Sequence, residues 1–121
     1  VALGPDLPPF YTDDEALAAA LADGARAGCD PLWRMPFHEP YEAMIEPGIA
    51  DLDNAPSGGM AGSITAALFL RRFVRQSSRF VHLDIYGWSQ KDAPGRTKGG
   101  LGQGARALLE ALPTVLGLEG A

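Results

Sequence analysis

The feature that most constrains the fold is the segment AGSITAALFLRRFV (residues 61–74), which is apolar almost all the way round when drawn as a helix. A helix without a polar face has to be packed on several sides. Arg71, Arg72 and Arg75 lie toward its C-terminal end, where cations interact favourably with the helix dipole. The sequence therefore predicts a helix that has neighbours on more than one side.

A second helix is predicted shortly after the proline-rich beginning of the chain. Thr12 and Glu15 have the spacing of a capping box, in which each side chain accepts a hydrogen bond from the backbone amide of the other residue. Gly28 has the position of a residue that stops the helix. Between them runs an apolar stripe at helical spacing, made of Leu17, Ala20, Leu21 and Gly24.

The segment after this helix has few regular signals. Residues 30–37 are predicted to form an extended connector, with Trp33 and Met35 pointing inward. Pro40 suits the first turn of a helix, so a short helix is predicted from there to about Ile45.

The rest of the chain predicts strands, loops and one more helix. Residues 48–54 are predicted to be a short strand, residues 80–86 a longer strand, and the glycine-rich residues 88–104 a long loop. A final helix is predicted to end at Pro113 and to present one apolar face, made of Leu101, Ala105, Leu108 and Leu112. Helices and strands in alternation predict an α/β layer structure.

Composition excludes several classes of protein. The 121 residues fit one domain or part of a larger one, and the formal net charge is −5. No basic cluster is longer than Arg71 and Arg72, so nucleic acid is not an expected partner. No apolar run approaches the ~20 residues that cross a bilayer, so no membrane partner is expected. The single cysteine, Cys29, allows no internal disulfide and favours a reducing, cytoplasmic location. The start at Val1 predicts a piece of a longer polypeptide.

The stretch FVHLDIYGW (residues 80–88) raises the question of a metal or catalytic site. On a strand, His82 and Asp84 share one face at a spacing of ~6–7 Å, which is compatible with one bound metal ion. A metal ion needs three or four ligands, however, and the only other histidine is His38. The favoured interpretation is a core strand whose two polar side chains are buried and hydrogen-bonded to loops or helix ends.

Other candidate sites are weaker. The glycine-rich residues 57–63 precede a helix and could cradle an anion, although close packing with a cap from Ser63 is favoured. Residues 97–100 could be a second phosphate loop but are predicted to be a mobile connector. Glu39, Glu42 and Glu46 lie at helical spacing beside His38, which is typical of a solvated face. Taken alone, these residues contain no complete active site.

Several motifs in order and spacing carry a resemblance to a known family. They are VALG with TDDEALAAAL, DPLWRMPFHEPYEAMI, IADLDNAPSGGMAGSITAALFLRRFV and HLDIYGWSQKDAPGRTKGG. Together they resemble the C-terminal part of the catalytic domain of the leucyl aminopeptidase (M17) metallopeptidases, from Val1 to about Leu112. The ending, DAPGRTKGG followed by QGARALLEAL, is similar to a bacterial subgroup and departs from the better-known ATGRP-type ending.

The resemblance implies a fold and a chemistry. The implied fold is α/β, part of a mixed sheet sandwiched between helices as in the zinc-exopeptidase (phosphorylase/hydrolase-like) architecture. The implied activity is removal of N-terminal amino acids from peptides by two divalent metal ions, zinc or manganese, in a cytoplasmic hexamer. In the family, the metal ligands and the catalytic lysine and arginine lie upstream, including in an Asn-Thr-Asp-Ala-Glu-Gly-Arg motif. Residues 1–121 are therefore expected to be the C-terminal portion of the domain, without catalytic residues or metal ligands.

The resemblance also implies a wall of the substrate pocket. Ala55, Tyr86, Gly87 and Ser89 hold the positions that lie near the first side chain of the substrate in the family. Small or apolar residues are common at the position of Tyr86, so its ring favours a selectivity other than simple preference for leucine, unless the ring only packs under the loop. Two other functions remain open from the sequence: a catalytically silent α/β oligomerisation module, and an anion-binding module that uses the glycine-rich loop.

Overall fold

The computed structural model describes residues 1–118 and contains three α-helices, one 3₁₀ helix and short strands. In chain order these are β1 (Pro9–Tyr11), α1 (Glu15–Ala27), β2 (Trp33–Arg34), the 3₁₀ helix (Glu39–Ile45), α2 (Gly62–Arg71), β3 (His82–Leu83), β4 (Trp88–Ser89), β5 (Gly99–Gly100) and α3 (Ala105–Val115).

A mixed sheet with the order β2-β1-β3 lies between helices on its two faces. Strand β1 pairs in parallel with β2 and antiparallel with β3. Side chains alternate across a strand, so Phe10 joins the core cluster beneath α1 and α3, whereas the Tyr11 hydroxyl donates a hydrogen bond of 2.6 Å to Ser63 of α2 on the opposite face. The predicted α/β arrangement, a mixed sheet between helices, is confirmed.

Helices α1 and α3 form the closest helix pair of the described chain. Phe10, Leu17 and Leu21 are buried in the core between the sheet and this pair. Gly24 of α1 faces Ala107 and Ala111 of α3, and a Cβ atom on Gly24 would be only 2.4 Å from the Ala107 carbonyl oxygen. Because small residues meet at this point, the two backbones can approach closely.

Helix α1 begins differently from the prediction and ends as predicted. The cap is Asp14, whose carboxylate accepts a hydrogen bond from the Leu17 amide, while the Thr12 hydroxyl accepts one from the Asp14 amide. Glu15 instead pairs with Arg34 of β2, so the predicted capping box is wrong. Gly28 is the last capping residue, as predicted.

Asp30 and Arg106 tie the end of α1 to the beginning of α3. The buried Asp30 carboxylate accepts hydrogen bonds from the Arg106 and Ala107 amides, which are free donors at the N-terminus of α3. In return the Arg106 guanidinium donates to the carbonyl oxygens of Gly28 and Cys29, where α1 ends. Each helix end thus receives a side chain of the charge that its dipole favours.

Three predicted elements are wrong. Trp33 does not point inward, since it lies on the outer strand β2 and is 58% exposed. Residues 48–54 form bends and not a strand. The predicted loop 88–104 contains the antiparallel pair β4 and β5, closed by a bridge between Ala93 and Arg96. Of the glycines that indicated a loop, Gly95 (φ +71°) lies in the tight turn of this hairpin, and Gly99 and Gly100 form β5.

Helix α3 also differs from the prediction at both its face and its end. Ala107 and Ala111 are its buried residues, whereas Leu112 is exposed and Leu101 precedes the helix. Pro113 lies inside the helix, which continues to Val115. Leu108 does pack against the core cluster, as predicted.

Helix α2 is shorter and less enclosed than predicted. It runs over Gly62–Arg71, packs on the 3₁₀ helix, and buries Thr65, Ala67 and Leu68, while Leu70 and Phe73 remain exposed. At its C-terminal end two arginines form ion pairs with acidic side chains. Arg71 and Arg72 contact Asp13, Glu39, Glu42 and Glu46. No helix within residues 1–118 has the length and apolar character needed to cross a membrane.

Candidate functional site

The candidate site is a cleft at the end of β3, because Tyr86 lines it. Its volume is about 510 Å³, and one side is formed by the N-terminal segment from Val1 to Pro5. The opposite side is formed by the chain that leaves β3, including Asp84 and Tyr86. Most of the surface is apolar and a few polar groups converge on it, as is usual for binding sites of small molecules. The remaining lining residues are Pro8, Pro9, Met35, Ser63, Ile85 and Gln90.

Ser63 links this cleft to the interior of the sheet. Its hydroxyl accepts the hydrogen bond of the buried Tyr11, so Ser63 does not cap α2 as predicted. Burial raises the pKa of the Tyr11 phenol, the hydrogen bond to Ser63 opposes this rise, and the negative charge of Asp84 adds to it. Tyr11 therefore stays neutral at physiological pH and acts as a fixed donor behind the cleft wall.

His82 lies beside Tyr11 on the same face of the sheet, with 6.0 Å between ring centroids. Its Nε2 atom is buried and has no hydrogen-bond partner, so the predicted hydrogen bonding of this side chain is wrong at that atom. Burial lowers the pKa of His82, and the charge of Asp84 opposes the shift. His82 is thus held as a neutral imidazole in the core, while Asp84 lines the cleft.

The residues predicted to border the substrate fall into two places. Tyr86 lines the cleft, and its hydroxyl accepts a hydrogen bond from Gln90. Gly87 follows with a left-handed backbone (φ +68°), and Ser89 lies in β4, where its hydroxyl donates to the Lys91 carbonyl. Ala55 lies in a different hollow of about 600 Å³, bounded by Ile45 and by residues of α2. Of these four residues, Tyr86 lines the cleft, Gly87 and Ser89 follow it in the chain without lining the cleft, and Ala55 lies apart.

Metal-binding geometry is absent from the part of the chain that the structure describes. Within residues 1–118 no three histidine, cysteine, aspartate or glutamate side chains are grouped so that they could hold a metal ion. His38 contacts the ring of Tyr41, with 4.5 Å between centroids, and does not lie with His82. The row of glutamates beside it is engaged by Arg71 and Arg72.

The glycine-rich loop before α2 is mostly exposed. Gly58, Gly59 and Ala61 all have positive φ angles, and Ala61 is the capping residue of α2 without a side-chain hydrogen bond. The other proposed phosphate loop, residues 97–100, is part of the β4–β5 hairpin, where the Lys98 amide donates to the Asp92 carboxylate. Both loops are thus explained by local backbone structure.

Several residues in or next to the cleft could not be identified from the sequence, among them Met35, which lines it, and Gln103, which bonds to two segments beside it. Met35 was predicted to point inward, but nothing in the sequence connected it with a cleft that also contains Tyr86. Gln103 was not singled out, although its side chain bonds both to Gly87 and to Pro5. These contacts join segments far apart in the chain, so no local spacing could reveal them.

Comparisons with known proteins match this architecture. Residues 1–109 match the model of the cytosol aminopeptidase family, catalytic domain. A probable cytosol aminopeptidase of Synechococcus sp. (strain CC9902) is 43% identical over 112 residues, covering 90% of this chain and 22% of that protein. The chain thus spans about a quarter or less of the length of such relatives.

Solved structures agree with the sequence matches. The crystal structure of cytosol aminopeptidase from Coxiella burnetii matches with a TM-score of 0.86 and 42% identity, over 94% of this chain and 25% of that one. The bottromycin maturation enzyme BotP, in complex with Mn, matches with a TM-score of 0.86 and 26% identity, over 94% of this chain and 26% of that one.

Proposed function

Since the chain belongs to the cytosol aminopeptidase family, we propose that it forms the C-terminal portion of the catalytic domain of a metalloaminopeptidase that releases N-terminal amino acids from peptides. In this proposal residues 1–121 supply part of the core and a wall of the substrate pocket. The observation that supports the proposal is the cleft at the end of β3, because Tyr86 lines it and the family resemblance assigns Tyr86 to the neighbourhood of the substrate's first side chain.

The recognition role falls on Tyr86 and its neighbours. The phenol ring is 55% exposed and lines a mostly apolar cleft, so it is available to contact a bound side chain. Gly87 and Ser89, which follow Tyr86 in the chain, are proposed to approach the substrate beside it, and Ala55 is proposed to do so from the second hollow. A ring at position 86 reduces the room for large first residues, because a filled pocket discriminates by size.

The described residues do not fit a catalytic metal, since they include no grouped ligands. We therefore assign to this chain no step of the hydrolysis itself. The proposed enzyme uses two divalent ions, zinc or manganese, held by residues outside the chain; the similarity to BotP, solved with Mn, supports the use of a divalent metal. Location in the cytoplasm and assembly into a hexamer are further parts of the proposal, drawn from the family resemblance.

Substitution of Tyr86 in the complete polypeptide tests the proposed pocket. Tyr86→Ala removes the ring and enlarges the cleft, so kcat/KM for substrates with N-terminal phenylalanine or tryptophan should improve relative to leucine by ~1–3 kcal/mol. The measurement is kcat/KM for a series of amino-acid anilides. Tyr41→Ala is the matched control, because that ring contacts His38 and lies outside the cleft.

The outcomes separate the three candidate functions. A change of preference in Tyr86→Ala but not in Tyr41→Ala supports the pocket wall, whereas an equal loss for every substrate places the ring in packing only. If the complete polypeptide shows no peptidase activity with either zinc or manganese, the result favours a catalytically silent oligomerisation module. A phosphate-dependent rise in melting temperature without activity favours an anion-binding module.

A further inference from the structure

The side chain of Gln103 bridges the two sides of the cleft from behind. Its Oε1 atom accepts a hydrogen bond of 2.8 Å from the Gly87 amide, and its Nε2 atom donates one of 2.7 Å to the Pro5 carbonyl. Pro5 belongs to the N-terminal side of the cleft, and Gly87 directly follows Tyr86 on the other side. One amide side chain therefore links two segments that lie far apart in the chain, since Gln103 is 98 residues from Pro5 and 16 residues from Gly87.

The second polar group of the Gly87 backbone is bound as well. Gly87 has a left-handed conformation (φ +68°) directly before β4, and its carbonyl accepts a hydrogen bond of 2.8 Å from the Leu101 amide. Both polar groups of Gly87 are thus bound to the segment 101–103. Tyr86 itself is more than half exposed, so burial does little to fix its ring. Its orientation follows from the backbone that carries it and from the Gln90 hydrogen bond.

We propose that Gln103 is a positioning residue for substrate selectivity: by bridging Gly87 and Pro5 it fixes the width of the cleft into which Tyr86 projects. The inference rests on the proposed function, because it takes this cleft to hold the first side chain of a peptide. A primary amide suits the role, since it presents one acceptor and one donor at the same end of the side chain. Gln103 touches no reacting group.

Two substitutions separate the contributions of the two hydrogen bonds that Gln103 makes. Gln103→Met is similar in length but keeps neither hydrogen bond. Gln103→Glu keeps the acceptor for the Gly87 amide and replaces the donor to Pro5 by an oxygen, which repels the carbonyl. Gln76→Met is the matched control, because Gln76 is exposed in the segment after α2. The variants are made in the complete polypeptide and compared for folding by circular dichroism.

The first measurement is amide hydrogen exchange at Gly87, which does not depend on activity. Loss of its acceptor in Gln103→Met should accelerate exchange at Gly87 by about 3- to 10-fold, while Gln103→Glu retains the protection. Amides in α1 should exchange at the same rate in all variants. The second measurement is the ratio of kcat/KM for leucine and phenylalanine anilides, which should change by about 3- to 10-fold in Gln103→Met and also change in Gln103→Glu. The changes should appear mainly in KM, since no reacting group is altered.

Failure of the inference can be told apart from failure of the proposed function. Unchanged exchange at Gly87 in Gln103→Met, or faster exchange with the same substrate ratio as Gln76→Met, overturns the positioning role in an enzyme that remains active. An equal fall of kcat for all substrates also overturns it, since it indicates a general structural defect. If the unaltered polypeptide hydrolyses no peptide at all, the proposed function fails, whatever the exchange at Gly87 shows.

Discussion

The close contact between α1 and α3 gives a prediction in which two physical effects have opposite signs. Gly24 lies inside α1, where glycine is less favourable than alanine by roughly 0.5–1 kcal/mol, so Gly24→Ala should stabilise an isolated helix. In the folded chain, however, the added Cβ would lie 2.4 Å from the Ala107 carbonyl oxygen and 3.1 Å from the Ala111 Cβ.

The steric clash of the added Cβ with α3 should outweigh the gain in helix propensity. The closest atom belongs to the backbone of α3, which cannot move aside as the end of a flexible side chain can. The helices must therefore separate, which loosens the cluster around Leu21 and Ala111. Overpacking of this kind costs about 1–3 kcal/mol, so after the gain in helix propensity Gly24→Ala should lower the free energy of unfolding by roughly 1–2 kcal/mol.

Urea unfolding followed by circular dichroism measures this difference. Ala19→Gly is the control, because Ala19 is exposed on the same helix and its change reports helix propensity alone. Both Gly24→Ala and Ala19→Gly should be less stable than the original chain. If Gly24→Ala is instead more stable, by about the amount that Ala19→Gly loses, the two helices do not approach as closely as described and the account of the core is wrong.

The other predictions concern the buried face of α1, the histidine of β3 and the activity of residues 1–121 by themselves. Leu17→Asp puts a charge at a site that is 6% exposed and should lower the free energy of unfolding by more than about 3 kcal/mol, whereas Leu109→Asp on the exposed side of α3 should change it little in a urea titration. Since burial lowers the pKa of His82 below 6.5, the unfolded chain binds the proton first as pH falls, and stability should drop progressively below about pH 6.5. In melting curves His82→Leu should weaken this dependence near about pH 6, whereas the loss of stability at lower pH, where Glu15 with its lowered pKa is protonated, should remain. The chain by itself should hydrolyse no leucine anilide with added zinc or manganese; turnover together with about two bound metal ions per chain, found by elemental analysis, would contradict this.

The parts of the fold that could be predicted depend on signals within a few turns of chain. The stripe through Leu17 and Leu21 identified α1 and its buried face, because period and burial coincide over the whole helix. The alternation predicted for residues 80–86 holds for residues 81–83, since Val81 and Leu83 pack against the α1 cluster while His82 lies beside Tyr11. The predicted strand is too long, however, because β3 covers only His82–Leu83 and the next three residues all line the cleft. The family resemblance then supplied the order of the layers.

The sequence-based predictions fail where two local patterns compete, or where the local structure depends on a residue far away in the sequence. Thr12 and Asp14 are both favourable N-cap residues, and Asp14 is the N-cap of α1 in the structure. Glu15, which a capping box with Thr12 would need, is paired with Arg34 of β2 instead. The glycines in residues 88–104 indicated a loop, yet the same residues permit the backbone of a hairpin. For the site, the sequence identified Tyr86 and Gly87, but the bridge from Gln103 requires a fold in which Pro5 is already in place.

Helix α3 shows why hydrophobicity alone is a poor guide to a packed face. Its apolar face was predicted from Leu101, Ala105, Leu108 and Leu112. Leu108 does pack against the core cluster, but Leu112 is exposed, as are Leu109 and Leu116. The buried side is the one with Ala107 and Ala111, because the partner helix offers Gly24 and Asp30 fixes the N-terminal amides of α3. A close approach of two backbones brings more atoms of both helices into contact than leucines held at a greater distance, and it leaves the Asp30 hydrogen bonds intact. The rotation of α3 is thus decided by residues of α1 and of the following turn, which no pattern within α3 contains.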